Sequence, residues 1–123
     1  NRRAVPATAL GKRRSRRENH MDNVILIGMP GSGKSTVGVL LAKLLGYAFL
    51  DSDLLIQQRA GKRLFEILRD DGAEAFARLE EEVNAGLDVH RTVIATGGSA
   101  VYSDRAMAHL RSIGTVVSSA LFP

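Results

Sequence analysis

The sequence predicts an α/β protein of three layers, a parallel β-sheet between two layers of helices. Three observations predict it. Short apolar, β-branched runs at residues 24–27 and 92–95 read as strands buried on both faces. Segments with apolar residues at helical spacing lie between the runs. Each run stops at small or acidic residues: Gly28, then Asp51-Ser52-Asp53, then Gly97-Gly98-Ser99. Strands alternating with helices indicate a parallel sheet with right-handed crossovers. In such sheets ligands bind at the carboxyl ends of the strands, so these three tips are expected to face one crevice.

In chain order, residues 24–27 form the first strand, ending at Gly28. Residues 33–45 place Val37, Leu40, Leu41, Leu44 and Leu45 on one helical stripe, and Gly46 ends that helix. Residues 47–50 are a second strand. Residues 54–59 and 64–69 are expected to be short helices, the first stopped near Gly61. A longer helix over 73–86 carries the stripe Phe76, Leu79, Val83, Leu87. Residues 92–95 form the third strand. Residues 103–111 are helical, with Ser103 as N-cap, and 114–118 form the fourth strand.

The chain has 123 residues, which allows one domain. Its hydrophobic fraction of 45% suffices for a packed core. The absence of Cys excludes a disulfide framework, a thiol nucleophile and thiolate metal sites. No apolar run approaches the ~20 residues that span a bilayer. The net charge of +4 is unevenly spread. Residues 1–20 hold seven cations against one acid, or +6, and residues 21–123 hold ten cations against twelve acids, or −2. The basic segment has no apolar periodicity and is expected to be a disordered tail. It reads as an added leader or upstream read-through before Met21, as a transit-like peptide, or as a nucleic-acid-binding arm. No aromatic residue interleaves with its arginines to stack on bases, which argues against a nucleic-acid partner.

Residues 28–35, Gly-Met-Pro-Gly-Ser-Gly-Lys-Ser, fit the phosphate-loop pattern G-x-x-x-x-G-K-[ST] at every fixed position. They also lie where that loop must lie, after a strand and before a helix. Glycines let backbone N–H groups converge on phosphates, and the helix start adds unpaired donors and a positive dipole end. Lys34 brings a full charge to the terminal phosphates, and the Ser35 hydroxyl is the expected Mg²⁺ ligand. A plain turn would need one or two glycines, not three followed by Lys and Ser. The pattern specifies a P-loop fold, a nucleoside triphosphate and Mg²⁺, but no acceptor.

Asp51 and Asp53 flank Ser52 beyond the second strand. In extended chain, residues i and i+2 point the same way, so both carboxylates are expected to face the crevice. One near Mg²⁺ and one near an acceptor hydroxyl would suit phosphoryl transfer. The bland alternative is a polar strand end with Asp53 capping the next helix. Gly97 and Gly98 permit close backbone approach to a ligand, although a sharp turn requires much the same. His20, His90 and His109 lie far apart and read as surface or helix-end residues. Glu80-Glu81-Glu82 reads as a solvated helix face, and Arg105 and Arg111 as surface charges.

Taken together, GMPGSGKSTVG at 28–38, LAKLLG at 41–46, Asp-Ser-Asp at 51–53, DG..AF...E at 71–80 and ATGGSAV at 95–101 resemble shikimate kinase. The resemblance covers about residues 21–117. It implies ATP-dependent phosphorylation of a shikimate hydroxyl, in aromatic amino-acid biosynthesis, by a cytoplasmic, monomeric enzyme. It also implies that Gly31, Ser32, Gly33, Lys34, Ser35 and Thr36 hold the ATP phosphates and that Ser35 and Asp51 serve the metal. Asp53 would bind the acceptor hydroxyls and act as base, with Lys34 as the other catalytic residue, and Gly97 and Gly98 would line the acceptor site.

Three departures qualify the resemblance. The family pattern G-E-x-x-F-R-x-x-E places an Arg where this chain has Ala77, and that Arg grips the shikimate carboxylate. Losing such a charge-assisted bond costs about 1.5–3 kcal/mol, or about tenfold to over a hundredfold in affinity. Either the adjacent Arg78 compensates as a substrate-binding residue or the acceptor is another small hydroxylated metabolite. The usual third glycine of the turn is Ser99. The chain stops at Pro123 without the family's Arg-bearing lid, so the domain at 21–123 is expected to be C-terminally incomplete. Weak or absent turnover is expected of it, and a non-catalytic nucleotide-binding remnant is the remaining alternative.

Overall fold

A computed structural model of the chain describes residues 21–28 and 34–118. The basic segment 1–20, most of the phosphate loop (29–33) and the last five residues lie outside the described residues. Four strands, β1 (Asn23–Ile27), β2 (Ala48–Asp51), β3 (Thr92–Ala95) and β4 (Gly114–Ser118), form one sheet in the order β2-β3-β1-β4. Every neighbouring pair is parallel, as the alternation of strands and helices predicts. The register sets Ile25 beside Ile94 and Val116, and Leu50 beside Ile94.

The helices are α1 (Lys34–Leu45), α2 (Ser52–Ala60), α3 (Leu64–Ala85) and α4 (Asp104–Ile113). Because side chains alternate along a strand, each strand feeds both faces of the sheet. On one face Ile25 and Ile94 pack with Leu87, Met107, Leu110 and Ile113. On the other, Leu26 and Val93 pack with Ala42, backed by Val37, Leu41 and Phe49. A third cluster, Ile56, Ile67 and Val83, joins α2 to both halves of α3 and holds Phe76 and Leu79 at its margin.

The two helices expected at 64–69 and 73–86 are both present, as the two halves of α3 on either side of Gly72. Gly72 sits at φ 89° and ψ 167°, outside the helical region, and breaks the helix there. A left-handed φ of this kind favours a residue without a Cβ. The α1 stripe differs from its expectation. Val37 and Leu41 do pack inward, but Leu40, Leu44 and Leu45 are exposed, Leu44 at 85%. Ala42 is buried in their place, because the face that meets the sheet runs through residues 37, 38, 41 and 42. Ser103 caps α4 as expected, its Oγ accepting the Ala106 N–H at 3.0 Å.

Asn23 ties the amino-terminal edge of the sheet together. Its Nδ2 donates to the carbonyls of Val89 and Ile113, both at 2.9 Å, and its Oδ1 accepts the Thr92 N–H at 3.0 Å. The residue is 1% exposed, so water cannot replace a lost partner. Asn23→Leu is expected to strand these buried groups and cost about 3 kcal/mol. A urea unfolding curve with an unchanged slope and a lower midpoint is the expected reading.

Candidate functional site

The carboxyl ends of β1, β2 and β3 come together as the sequence predicts. β1 runs into Gly28, and α1 begins at Lys34 with no acidic residue in its first turn. That leaves a helix start suited to phosphate. Ser35 and Thr36 are exposed in that turn. Gly31, Ser32, Gly33 and the side chain of Lys34 lie outside the described residues. At the end of β3, Thr96 clamps the glycine turn to β1. Its N–H and its Oγ1 both donate to the Leu26 carbonyl, at 3.1 Å and 3.0 Å.

Asp51 and Asp53 do not sit as i and i+2 of an extended strand. β2 ends at Asp51, and α2 begins at Ser52. Asp51 is the N-cap of α2, its Oδ1 accepting the Asp53 N–H at 2.9 Å. The cap considered for Asp53 therefore belongs to Asp51. Asp53 lies in the first turn of α2, and its carboxylate borders a cavity of about 400 Å³. Gly97, Gly98, Ser99, Glu80, Phe76, Leu64 and Tyr102 line the same cavity. Arg78 does not. It is exposed on α3 and borders a second cavity beside this one.

Gly97 is wedged between two carboxylates. A Cβ placed there would lie 2.7 Å from Glu80 Oε2 and 2.8 Å from Asp53 Oδ1. The lack of a side chain at 97 is what lets Glu80 and Asp53 approach the turn together. Glu80 is only 4% exposed, and its Oε1 accepts the Ser99 hydroxyl at 2.5 Å. Burial pushes the Glu80 carboxyl above the usual glutamate range and the negative charge of Asp53 adds to the effect, while the Ser99 hydrogen bond opposes both.

Glu80 was the residue that sequence reasoning undervalued, as part of an acidic run. Its signal was positional. It lies four residues after Phe76 and three before Val83, on the same helical face as both, whereas Glu82 is exposed. Ser99, the departure in the glycine turn, supplies the donor that holds it.

Glu80 also predicts a pH effect. A carboxyl whose folded pKa is raised binds its proton more tightly in the folded state. Stability then falls as pH rises from the ordinary glutamate value through the raised one. Glu80→Gln removes that loss and keeps an acceptor for Ser99. The drop in urea midpoint between about pH 4 and pH 7 is expected to be smaller in the variant than in the parent chain.

Comparisons with known proteins show the family and the fold. A family model described as shikimate kinase matches residues 30–118. The chain is 54% identical to a shikimate kinase of Mycobacterium avium over 80 residues, 64% of this chain and 46% of that protein. It is 55% identical over 80 residues to one from a Synechococcus strain, 64% of this chain and 41% of that protein. The solved structure of shikimate kinase from Acinetobacter baumannii in complex with shikimate matches with a TM-score of 0.76 and 36% identity. That match covers 85% of this chain and 59% of that one. Shikimate kinase from Aquifex aeolicus matches with a TM-score of 0.70 and 36% identity, over 78% of this chain and 58% of that one. The chain spans about half the length of the curated relatives it matches.

Proposed function

The chain belongs to the shikimate kinase family, and we propose that its site transfers the γ-phosphoryl group of ATP to a hydroxyl of shikimate. The observation that carries the reading is the placement of Asp53 beside Gly97 and Gly98 at one cavity, at the end of β3, whose neighbour β1 leads into the phosphate-loop sequence.

The start of α1 and the loop from Gly28 to Thr36 cradle the triphosphate, Lys34 meeting the terminal phosphates. Ser35 and Asp51 are the residues that would hold Mg²⁺, Ser35 directly and Asp51 through water, and their hydroxyl and carboxylate oxygens suit a hard cation. When bound, Mg²⁺ neutralises charge on the phosphate oxygens. Asp53 accepts the hydrogen bond of the acceptor hydroxyl and aligns it. As that oxygen bonds to the γ-phosphorus, the bond to the bridging oxygen breaks. ADP leaves, and the hydroxyl proton passes to Asp53. Gly97 and Gly98 let the acceptor approach the backbone. The reading carries with it a monomeric, cytoplasmic enzyme. Among the described residues no helix is long and apolar enough to cross a membrane.

Release of ADP on mixing ATP, Mg²⁺ and shikimate with a version of the protein extended to the full length of its relatives is expected to exceed that of a Lys34→Ala control. Parity with the control would remove the assignment. Ala77 favours one second reading, a different small hydroxylated acceptor. An acceptor screen that finds turnover only with shikimate would end it.

A further inference from the structure

The proposed acceptor cavity has two walls. One is the turn after β3, Gly97 to Ser99. The other, from α2 and α3, carries Asp53 and Glu80. Hydroxyl groups stitch the turn and the segment after it to their surroundings. Thr96 donates back to β1, at the Leu26 carbonyl. Ser99 donates to Glu80 Oε1 at 2.5 Å, and Ser103 donates to Glu81 Oε2. Both of the latter bonds reach α3. Ser99 and Glu80 line the acceptor cavity, whereas Ser103 and Glu81 do not. The Ser99 bond is thus a tie between its two walls.

Glu80 needs that donor. It is 4% exposed, and among the described residues no lysine or arginine forms an ion pair with it. A buried carboxylate with neither cation nor donor is costly. Three residues earlier, on the same helical face, stands Ala77, which brings no charge. Like charge presses from the other side. Glu80 Oε2 and Asp53 Oδ1 both point at the place that a Gly97 Cβ would take, at 2.7 Å and 2.8 Å from it. Two carboxylates so placed repel, and the Ser99 hydroxyl opposes that on the Glu80 side. The turn also moves as a unit. The Ala100 N–H donates to the Gly97 carbonyl at 3.3 Å, and the Tyr102 N–H to the Ser99 carbonyl at 3.1 Å. What holds Ser99 therefore holds the glycines.

We propose that Ser99 is a positioning residue for the acceptor: by pinning Glu80, its hydroxyl fixes the spacing between the Gly97–Gly98 backbone and the Asp53 carboxylate across the cavity. Its action runs through Glu80 and the turn rather than through contact with the reacting atoms. Without the bond, the buried carboxylate of Glu80 has to turn away from the segment or take a proton. In either case the glycine wall relaxes away from Asp53. The consequence for turnover rests on the phosphoryl-transfer reading above, whereas the bond and the spacing that it sets do not.

Two substitutions test it. Ser99→Ala removes the hydroxyl with little change of shape, and Ser99→Thr keeps it. In the version extended to the full length of its relatives, Ser99→Ala is expected to lower kcat/KM for shikimate about tenfold or more, with the KM for ATP unchanged. Ser99→Thr should stay near the parent. A merely structural role would lower the urea midpoint without this split between the two substrates. Unchanged acceptor kinetics in the Ser99→Ala variant of an active parent would overturn the proposal. So would a Thr variant as impaired as the Ala variant. A second measurement needs no turnover. In the 123-residue chain, nuclear Overhauser contacts between the Gly97 α-protons and the Asp53 side chain should weaken in Ser99→Ala and persist in Ser99→Thr. Undiminished contacts in Ser99→Ala would overturn the proposal. A parent no more active than Lys34→Ala would instead remove the kinase reading, and these contacts would then decide on Ser99 by themselves.

Discussion

Replacing Asp53 by asparagine is expected to cut phosphoryl transfer by about 10²–10⁴-fold, the usual loss when a general base is removed. Asparagine keeps the size of the side chain and a carbonyl acceptor, so it can still line the cavity. What it cannot do is take the acceptor's proton. Nucleotide affinity should be nearly unchanged, because Asp53 borders the cavity beside Glu80 and Gly97 rather than the start of α1. The loss should therefore fall on kcat and kcat/KM for the acceptor, with nucleotide binding by calorimetry as the control. Equal turnover in variant and parent would mean that Asp53 only positions the acceptor, as is possible in a transition state that needs little base assistance.

Much of the fold was legible because the sheet is parallel and its central strands β1 and β3 are largely buried. β3 and β4 coincide with the runs at 92–95 and 114–118, and β1 adds only Asn23 to 24–27. Apolar runs bounded by glycine leave little freedom in such a sheet. The helices were harder. Apolar spacing on α1 gave a stripe of five, but spacing says nothing about which part of a wide stripe meets the sheet. Gly38 decided that, by letting the helix approach Phe49 and Leu26. The break at Gly72 was legible, since a glycine in a helical pattern is read as a stop, and the residue takes a positive φ there. What the sequence does not show is that contact through Ile56, Ile67 and Val83 packs the two helices together.

The site was legible in part for a related reason. Motifs name residues along the chain, and the structure groups them in space. Asp53, Gly97 and Gly98 were named in the sequence and share a cavity. Asp51 was named for the metal, and its carboxylate also caps α2, a role that the strand-end reading assigned to its neighbour. Glu80 was hidden by its acidic neighbours, because an acidic run on a helix is usually solvated. Its spacing from Phe76 and Val83 sets it apart from Glu82, and the contacts with Ser99 and with the space at Gly97 show what that position does.

Gly97→Ala should lower kcat/KM for the acceptor by about 10²-fold while leaving the fold intact. The two atoms that a Cβ would meet, Glu80 Oε2 and Asp53 Oδ1, are the ends of flexible side chains. Both can swing aside at modest cost, so the melting temperature should hardly change. The catalytic geometry is less tolerant. A displacement of the reacting group by about 1 Å can cost about 10²-fold in rate, and Asp53 has to move by a comparable amount to clear the new methyl group. Glu80 moves too, which weakens its bond to Ser99 and changes its titration. The variant should therefore show three things together: nearly normal unfolding in urea, a shifted Glu80 carboxyl signal by NMR, and impaired use of the acceptor with nucleotide binding retained. A variant that unfolds early would place the role of Gly97 in the backbone of the turn. A variant with unaltered acceptor kinetics would show that the two carboxylates need not be held this close for the reaction.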